Sequence, residues 1–304
     1  MHDQSTLNPA SHAADKIADL WWILFAVSVV VFTVVVALLL VAVLRRRGGG
    51  EPDRSKSRGG TRLVAIAGVA VPAVVVIALF FASVATLPAV APAGKNARMT
   101  IDVVGRQWFW DVYYRGGAVR TANEIHIPVG VPVEVRVRSE DVIHSLWVPR
   151  LNRKIDLIPG QENAVVFDAN KPGTYRGQCA EFCGVQHGNM ALLVIAEPPA
   201  QFARWLANQA KPAASSPGLQ AFMGVGCSGC HEISGAPEKS RYGPDLSHFG
   251  SRRTIAAGTL SNTPENLADW IHDPQAIKPG NKMPNLGLSD PEIQIVVRYL
   301  ESSK

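Results

Sequence analysis

Two long uncharged apolar stretches constrain this 304-residue chain more than any other feature of its sequence. Residues 20–44 and 63–94 contain no Asp, Glu, Lys or Arg. At a rise of about 1.5 Å per residue, a helix over either stretch would cross a hydrocarbon layer of roughly 30 Å. Trp21 and Trp22 lie at the start of the first stretch, where aromatic rings favour a membrane interface. We therefore predict two membrane spans, at 20–44 and 63–87.

Pro72 lies inside the second stretch and is predicted to kink the helix, which a spanning helix tolerates. The span is predicted to end near Pro88 and Pro92. The alternatives are a buried core helix and a signal peptide. A signal peptide has a shorter apolar segment that follows a basic segment, whereas three Asp and a single Lys precede the first stretch. Length and flanking charge favour two spans.

The segment between the two stretches is basic. Residues 45–62 hold seven Lys and Arg against two acidic residues, and the net charge of the whole chain is +5. Cytoplasmic loops of membrane proteins carry an excess of Lys and Arg. The prediction places this loop in the cytoplasm, and both termini on the periplasmic side of a bacterial inner membrane. Because the excess charge is confined to this loop, it does not indicate nucleic-acid binding.

Residues 96–198 are predicted to form a β-sandwich or barrel. Apolar and polar residues alternate in Met99–Val104 and Val131–Val137, and Val, Ile and Thr are frequent. Turn signals recur, among them Gly116-Gly117 and Pro159-Gly160.

The remainder of the chain carries helical patterns. Residues 199–217 are predicted to hold a helix, with Phe202, Trp205 and Leu206 on one face, followed by a Pro/Ala/Ser linker. Residues 218–304 show short helical patterns near 218–226, 264–272 and 289–302. In the last of these, Ser289 and Glu292 form a capping box. With a membrane hairpin at 1–95, the sequence predicts a multi-domain membrane protein.

The four cysteines form two close pairs, each with a His nearby, which is typical of metal or haem sites rather than of a disulfide scaffold. The first pair lies in Cys179–Met190, which contains two Cys, a Glu, a His and a Met. Soft thiolate and thioether ligands with imidazole favour copper or zinc, and the Met favours copper. His144, 35 residues upstream, is a further candidate ligand, and this layout is that of a cupredoxin-like domain. The alternatives are a zinc knuckle and a Cys179–Cys183 disulfide, whereas a blue-copper site needs only one Cys.

The pattern Cys-x-Glu-x-Cys-x3-His-x2-Met, with Asp141-Val142-Ile143-His144-Ser145 upstream, resembles the dinuclear CuA site of cytochrome c oxidase subunit II. The resemblance implies that Cys179 and Cys183 bridge two copper ions and that His144 and His187 each bind one. It further implies that Met190 completes one copper site and the backbone carbonyl of Glu181 the other.

The resemblance implies two further roles. The Glu181 side chain would bind a magnesium-type ion at the contact with subunit I, and a hard carboxylate suits that ion. Trp108, in Gly105–Trp110, resembles the aromatic segment at which the family takes in electrons, although an aromatic cluster in a β-domain is also typical of a core. His126 is interpreted as a strand histidine rather than a ligand.

The second cysteine pair forms the c-type haem attachment motif Cys227-Ser228-Gly229-Cys230-His231. The two thiols add to the haem vinyl groups, and His231 is the proximal iron ligand. Met283, in Gly280–Pro284, lies where small class I cytochromes c have their distal Met, and residues 218–304 resemble that family as an all-α domain.

Pro244, in Gly243-Pro244-Asp245-Leu246, also matches class I cytochromes c, in which the Pro carbonyl accepts the proximal His N–H. Met223, on the helix before the motif, is the other Met near it. His248 and His272 are rival sixth ligands, because imidazole is a competent axial ligand.

The resemblance covers nearly the whole chain. It implies the electron-transfer subunit of a caa-type haem–copper oxidase, with covalent haem c, a CuA centre and O2 reduction in a separate subunit I. The implied partners are subunit I, subunit III and a soluble cytochrome c or another periplasmic electron donor. The alternative is a membrane-tethered redox carrier or copper-handling protein without an oxidase partner. A quinol-oxidase subunit II lacks the copper cysteines.

Three positions depart from the family pattern. Ala65 and Gly68 stand where the family usually has a Glu and a Trp ahead of the Pro in the second span. That Glu serves a proton path in many relatives, so proton delivery is expected to differ here or to use another subunit. Gln161 follows Pro159-Gly160, where the family often has Arg.

Overall fold

The computed structural model describes residues 4–45, 57–90, 97–213 and 217–304. They divide into two compact units. One unit is Asp15–Ala89, and the other joins Met1–Ala14 to Val90–Lys304. Most of the predicted basic loop, at 46–56, lies outside the described residues.

Two long helical segments account for the apolar stretches. Helix α1 is His12–Arg45. Helix α2 (Ser57–Ala65), a π-helical turn (Ile66–Ala70) and helix α3 (Val71–Val90) follow one another without a break. Both segments are long and apolar enough to cross a membrane. Their apolar side chains are exposed, and exposure of so large an apolar area to water is unfavourable.

The first helix begins earlier than the predicted span, at His12, eight residues before residue 20. Helix α3 ends at Val90, between Pro88 and Pro92, near which the span was predicted to end. Pro88 lies two residues before the last residue of α3, so it disturbs only the end of the helix. The sequence predicts a kink at Pro72, and the structure has a π-helical turn at Ile66–Ala70, shortly before this proline. Such a turn is one way in which a helix accommodates a proline.

A β-sandwich occupies most of 97–198. Its strands are β1 (Met99–Arg106), β2 (Phe109–Tyr114), β3 (Val119–Ala122), β4 (Glu124–Pro128), β5 (Val133–Ser139), β6 (His144–Trp147), β7 (Ile155–Leu157), β8 (Asn163–Phe167), β9 (Gly173–Cys179) and β10 (Ala191–Glu197). One sheet has the order β3-β2-β1-β5-β8 and the other β4-β10-β9-β6-β7. The β1–β5 and β4–β10 pairs are parallel and the others antiparallel. This is the predicted cupredoxin-like domain, with Trp110, Phe167 and Leu192 buried between the sheets.

The segment before α1 joins this sandwich, which the sequence did not predict. Ser11 forms a β-bridge with Ala169. Ala10 N donates to Arg150 O, and Asn170 N donates to Ala10 O, both at 2.9 Å. Ala10 and Ser11 are buried.

Helix α4 (Pro199–Gln209) follows β10 and buries Phe202 and Leu206 as predicted. The C-terminal domain contains α5 (Pro217–Gly224), α6 (Pro264–His272), α7 (Pro274–Ile277), α8 (Asp290–Ser302) and a short hairpin of β11 (Thr254–Ile255) and β12 (Leu260–Ser261). The predicted capping box of Ser289 and Glu292 is present at the start of α8. Helices α5 and α8 pack together, because Gly218 lets α5 approach Tyr299 closely.

Candidate metal centre and cofactor cavity

The candidate copper ligands converge at one end of the sandwich. His144 is the first residue of β6 and Cys179 the last of β9, and these two strands are paired. The other candidates lie in the segment that leads to β10. We call residues 179–190 the copper loop. Strand pairing thus brings His144 next to a ligand 35 residues away in the sequence.

The donor atoms lie at contact distances that suit a metal. Cys179 Sγ is 3.8 Å from Cys183 Sγ and 3.9 Å from His144 Nδ1. Cys183 Sγ is 3.7 Å from His187 Nδ1 and 3.9 Å from Met190 Sδ. Metal–ligand bonds of about 2.0–2.3 Å place tetrahedral ligands about 3.3–3.8 Å apart. Two thiols, two imidazoles and a thioether at this spacing fit copper.

The carbonyl of Glu181 faces the same cluster, 3.2 Å from Cys179 Sγ, whereas the Glu181 side chain is exposed. The 3.8 Å between the two sulfur atoms is far beyond a disulfide bond of about 2.05 Å. The hydrogen bond between the two thiols lowers the pKa of Cys179 and raises that of Cys183.

Asp141 orients the His144 ring. His144 Nε2 donates to Asp141 Oδ1 at 2.8 Å, which leaves Nδ1 facing Cys179. Asp141 also accepts from the backbone N–H groups of Gln107 and Val142. Burial favours a raised pKa for Asp141, but these hydrogen bonds outweigh it and lower the pKa to about 2. Metal-binding histidines commonly have such a carboxylate on the far ring nitrogen.

Trp108 packs directly on the copper loop. Its Nε1 donates to Cys183 O at 2.9 Å, and Gln107 Nε2 donates to the same oxygen at 2.8 Å. Gly184 has φ +113°, and a Cβ there would lie 2.9 Å from the indole. Glycine is therefore required at this contact.

Trp108 also lines a cavity of about 330 Å³. Its lining includes Cys227, Cys230, His231 and Met283 from the C-terminal domain, together with Trp108 and Phe109 from the sandwich. The four candidate haem-binding residues named from the sequence therefore lie around one cavity. Two thiols, an imidazole and a thioether around an apolar space fit a covalently attached haem.

Pro244 and Gly243 fix the His231 ring. His231 Nδ1 donates to Pro244 O at 2.9 Å, so Nε2 is the nitrogen free to bind a metal. A Cβ at Gly243 would lie 2.6 Å from the ring. Burial lowers the pKa of His231, which favours the neutral imidazole that ligates iron. Burial also raises the pKa of the Cys227 thiol to about 11.

The rival axial ligands are not in the cavity lining. Among the described residues that form it, Met283 is the only Met, and neither His248 nor His272 is present. Both ring nitrogens of His248 face backbone carbonyl oxygens, and His272 is exposed at the end of α6. Met223 packs in the core of the domain.

His126 lies in β4, away from the copper loop. It is buried between Glu124 and Glu197 and stacks on Trp205 with 3.9 Å between ring centroids. Its interpretation as a strand histidine agrees with this position, although the sequence did not indicate its two carboxylate neighbours.

Two cations between the sandwich and the C-terminal domain were missed by the sequence analysis. Arg120 pairs with the buried Asp111 and with Glu232, the residue after His231. Lys278 is buried and contacts the copper loop through Asn189 O. Burial lowers the pKa of Lys278 to about 8. Isolated Arg and Lys residues give no sequence signal for such long-range partners.

Known protein families match the β-sandwich and the C-terminal domain. The family described as "Cytochrome C oxidase subunit II, periplasmic domain" matches residues 116–197, and "Cytochrome c" matches residues 215–304. Cytochrome c oxidase subunit 2 of Bacillus subtilis is 30% identical over 99% of this chain and 92% of its own length.

The protein of the same name from Alkalihalophilus pseudofirmus is 36% identical over 67% of this chain. The one from Bacillus sp. PS3 is 32% identical over 69%. The matched parts are 61% and 63% of those two relatives, under two thirds of their length. A crystal structure of the periplasmic domain of cytochrome oxidase subunit II from Bradyrhizobium japonicum is 32% identical. The matched part is 37% of this chain and 94% of the chain in that crystal structure, and the TM-score is 0.36.

Proposed function

The chain belongs to the cytochrome c oxidase subunit II family, and we propose that it is the electron-transfer subunit of a caa-type haem–copper terminal oxidase. In this role it passes electrons from a fused c-type haem through a dinuclear CuA centre to the haems of subunit I, where O2 is reduced to water. The observation that carries the proposal is the placement of Trp108 between two ligand sets, the soft donors of the copper loop and the cavity of Cys227, Cys230, His231 and Met283.

Six groups hold the copper pair in this proposal. Cys179 and Cys183 would be shared by the two ions, and His144 and His187 would bind one each. Met190 and the backbone carbonyl of Glu181 would complete the two sites. When bound, the copper pair and the haem would each accept and release one electron. The paired strands β6 and β9 support this assignment because they carry His144 and Cys179, and ligands held on rigid strands limit rearrangement during electron transfer.

Cys227 and Cys230 would attach the haem, and His231 and Met283 would bind its iron. The backbone carbonyl of Pro244 supports this assignment because it accepts a hydrogen bond from Nδ1 of His231. A His/Met pair raises the haem potential, as suits a donor to an oxidase.

Trp108 is the proposed electron-entry residue of the copper domain. It lines the haem cavity, and its indole nitrogen donates to the carbonyl of Cys183. A short bonded route therefore leads from the cavity wall to a proposed copper ligand. The aromatic ring also has a packing role against Gly184.

The two apolar helices are proposed to anchor the chain in the bacterial inner membrane, with the redox domains on the periplasmic side. Arg45 ends the first helix and Arg62 lies near the start of the second, which agrees with a cytoplasmic loop. The segment before α1 is bridged to the sandwich at Ala169.

The proposed partners are subunit I, subunit III and a soluble cytochrome c or other periplasmic donor. The exposed Glu181 side chain is proposed to bind magnesium at the contact with subunit I. Ala65 and Gly68 lie in the second helical segment, in place of the Glu and Trp usual in the family, so a proton path would differ from that of the family or use another subunit.

Purification of the chain from its membrane tests the proposal. We expect a low-spin c-type haem absorption spectrum, the EPR signal of a mixed-valence copper pair, and co-purification with a polytopic haem protein. Zinc in place of copper, or a chain that never isolates with a haem protein, would contradict the proposal and favour a tethered redox carrier.

Two matched variants separate the centres. Changing both Cys179 and Cys183 to Ser should abolish the copper signal and leave covalent haem staining. Cys230→Ser should strongly reduce covalent haem staining and leave the copper signal unchanged. If either variant lost neither signal, the corresponding ligand assignment would be wrong.

A further inference from the structure

Lys278 is a buried lysine between the copper loop and the loop that carries Met283. It is 3% exposed, and its Nζ donates to Asn189 O at 2.8 Å and to Ala256 O at 3.1 Å. Asn189 directly precedes Met190 in the copper loop, whereas Ala256 belongs to the cytochrome domain. One ammonium group therefore joins the two domains beside both sets of proposed ligands.

The backbone at Lys278 is tied to the loop at residues 278–283, which we call the methionine loop. Lys278 O accepts from the backbone and side-chain N–H groups of Asn281. Asn281 Oδ1 in turn accepts from Met283 N at 2.7 Å. The copper loop makes a second contact at the next residue, where Gln186 Nε2 donates to Pro279 O at 2.6 Å. A displacement of Lys278 would therefore move the methionine loop relative to the copper loop.

The charge of Lys278 has no local counter-ion. Within the described ranges, no carboxylate forms an ion pair with it. Two backbone carbonyls replace part of the water that the ammonium group loses on burial, yet an unpaired buried cation is costly. Its Nζ lies 2.8 Å from Asn189 O, one residue before the proposed ligand Met190, so its field reaches the copper loop. A positive charge beside a redox centre favours the reduced form, which carries one positive charge less.

We propose that Lys278 is a positioning residue for electron transfer between the haem and the copper centre. It holds the methionine loop on the copper loop, and its charge raises the reduction potential of the copper centre. This inference rests on the proposed function of the chain and adds a residue that neither ligand set contains.

The test uses the full chain in its oxidase complex, carrying copper and haem, together with three variants. Lys278→Met removes the donor and the charge, whereas Lys278→Gln keeps two N–H donors without the charge. Lys239→Met removes an exposed lysine from the same domain and is the control. The copper midpoint potential is measured by redox titration followed by EPR. The haem-to-copper electron-transfer rate is measured after photoinjection of an electron into the haem.

We expect both Lys278 variants to shift the copper midpoint potential downward, and Lys278→Met also to slow electron transfer several-fold. Lys239→Met should match the wild type in both measurements. If Lys278→Met fails to fold, the potential of Lys278→Gln alone decides the question. A Lys278→Gln potential equal to that of the control would overturn the inference, since a purely structural tie would leave the potential in place. A wild-type chain without a copper or haem signal would instead overturn the proposed function, and this inference with it.

Discussion

Asp141 shows how a residue outside the ligand set can determine the properties of the centre. Its carboxylate accepts the Nε2 hydrogen of His144 and two backbone N–H groups, so it fixes both the ring and the turn before β6. Lys282 from the cytochrome domain approaches the same carboxylate at 3.9 Å. The carboxylate that orients this proposed copper ligand is therefore in contact with both domains.

Asp141→Asn is expected to weaken copper binding by about 10–100-fold, because loss of a carboxylate behind a metal-binding histidine has that typical cost. The amide retains the shape of the side chain but not its charge. Competitive titration against a copper chelator measures the affinity. Asp102→Asn, in β1 of the same domain, is the matched control and should bind copper as the wild type does. Equal affinities of the two variants would show that Asp141 does not support the site.

His126 gives the sandwich a pH-dependent contribution to stability. Burial opposes its charged form, but hydrogen bonds and charges from Glu124 and Glu197 outweigh burial and raise the pKa of His126. A raised folded-state pKa stabilises the fold below the unfolded value of about 6.5, and that contribution is lost as pH rises through the folded value.

His126→Gln should therefore destabilise the protein most below about pH 6.5 and least at high pH. The measurement is the thermal unfolding midpoint of variant and wild type across this pH range. His272→Gln, at an exposed position, is the control and should show no such trend. A destabilisation by His126→Gln that does not change with pH would mean that folding leaves the pKa of this histidine unchanged, and a destabilisation that shrinks at low pH would mean that folding lowers it.

At the scale of elements, the packing of α5 against α8 depends on one glycine. A Cβ at Gly218 would lie 2.7 Å from Tyr299 Cβ, whereas a Cβ at Gly224 in the same helix meets nothing within 4 Å. We expect Gly218→Ala to destabilise the cytochrome domain by about 1–3 kcal/mol through overpacking. Gly224→Ala is the matched control. Denaturant unfolding followed at the haem absorption band compares them, and equal midpoints would show that the helix contact is loose.

Helices whose first residues include a capping residue or a proline were predictable from the sequence. Helix α6 has the predicted bounds because Thr263 caps it and Pro264 begins it. The capping box at Ser289 likewise fixed the start of α8. The early start of α1 at His12 was not predictable, because the bridge from Ser11 to Ala169 depends on a partner about 160 residues away.

The same distinction applies to the site. The ligand candidates from Cys179 to Met190 lie within one loop, and their spacing alone indicated a soft metal site. In the sequence Asp141 stands out only as part of a motif, and its contact with His144 follows from the turn geometry. Arg120 and Lys278 gave no signal, since their partners lie about 110 and 90 residues away and only the folded chain brings them together.

At the scale of the whole molecule, the sandwich and the cytochrome domain belong to one compact unit. Ala191 N, at the start of β10, donates to Ala257 O at 2.9 Å. Glu124 Oε1 accepts from Arg253 N at 2.7 Å. Both hydrogen bonds use backbone groups, and these groups would have to form hydrogen bonds with water if the two domains separated. We infer that the haem cavity stays against Trp108 in solution.

The ion pair between Arg120 and Glu232 provides a direct test of this docking. The two side chains are 8% and 16% exposed, and Nη1 lies 3.0 Å from Oε2. Arg120→Met also leaves the buried Asp111 short of a partner, so a single variant would confuse two effects. A double-mutant cycle with Glu232→Gln removes this difficulty, because the Asp111 penalty is present in both variants that lack Arg120 and cancels. We expect a coupling free energy of about 1–2 kcal/mol, measured by denaturant unfolding of the full chain in detergent. A coupling near zero would show that this ion pair does not stabilise the docked arrangement of the two domains.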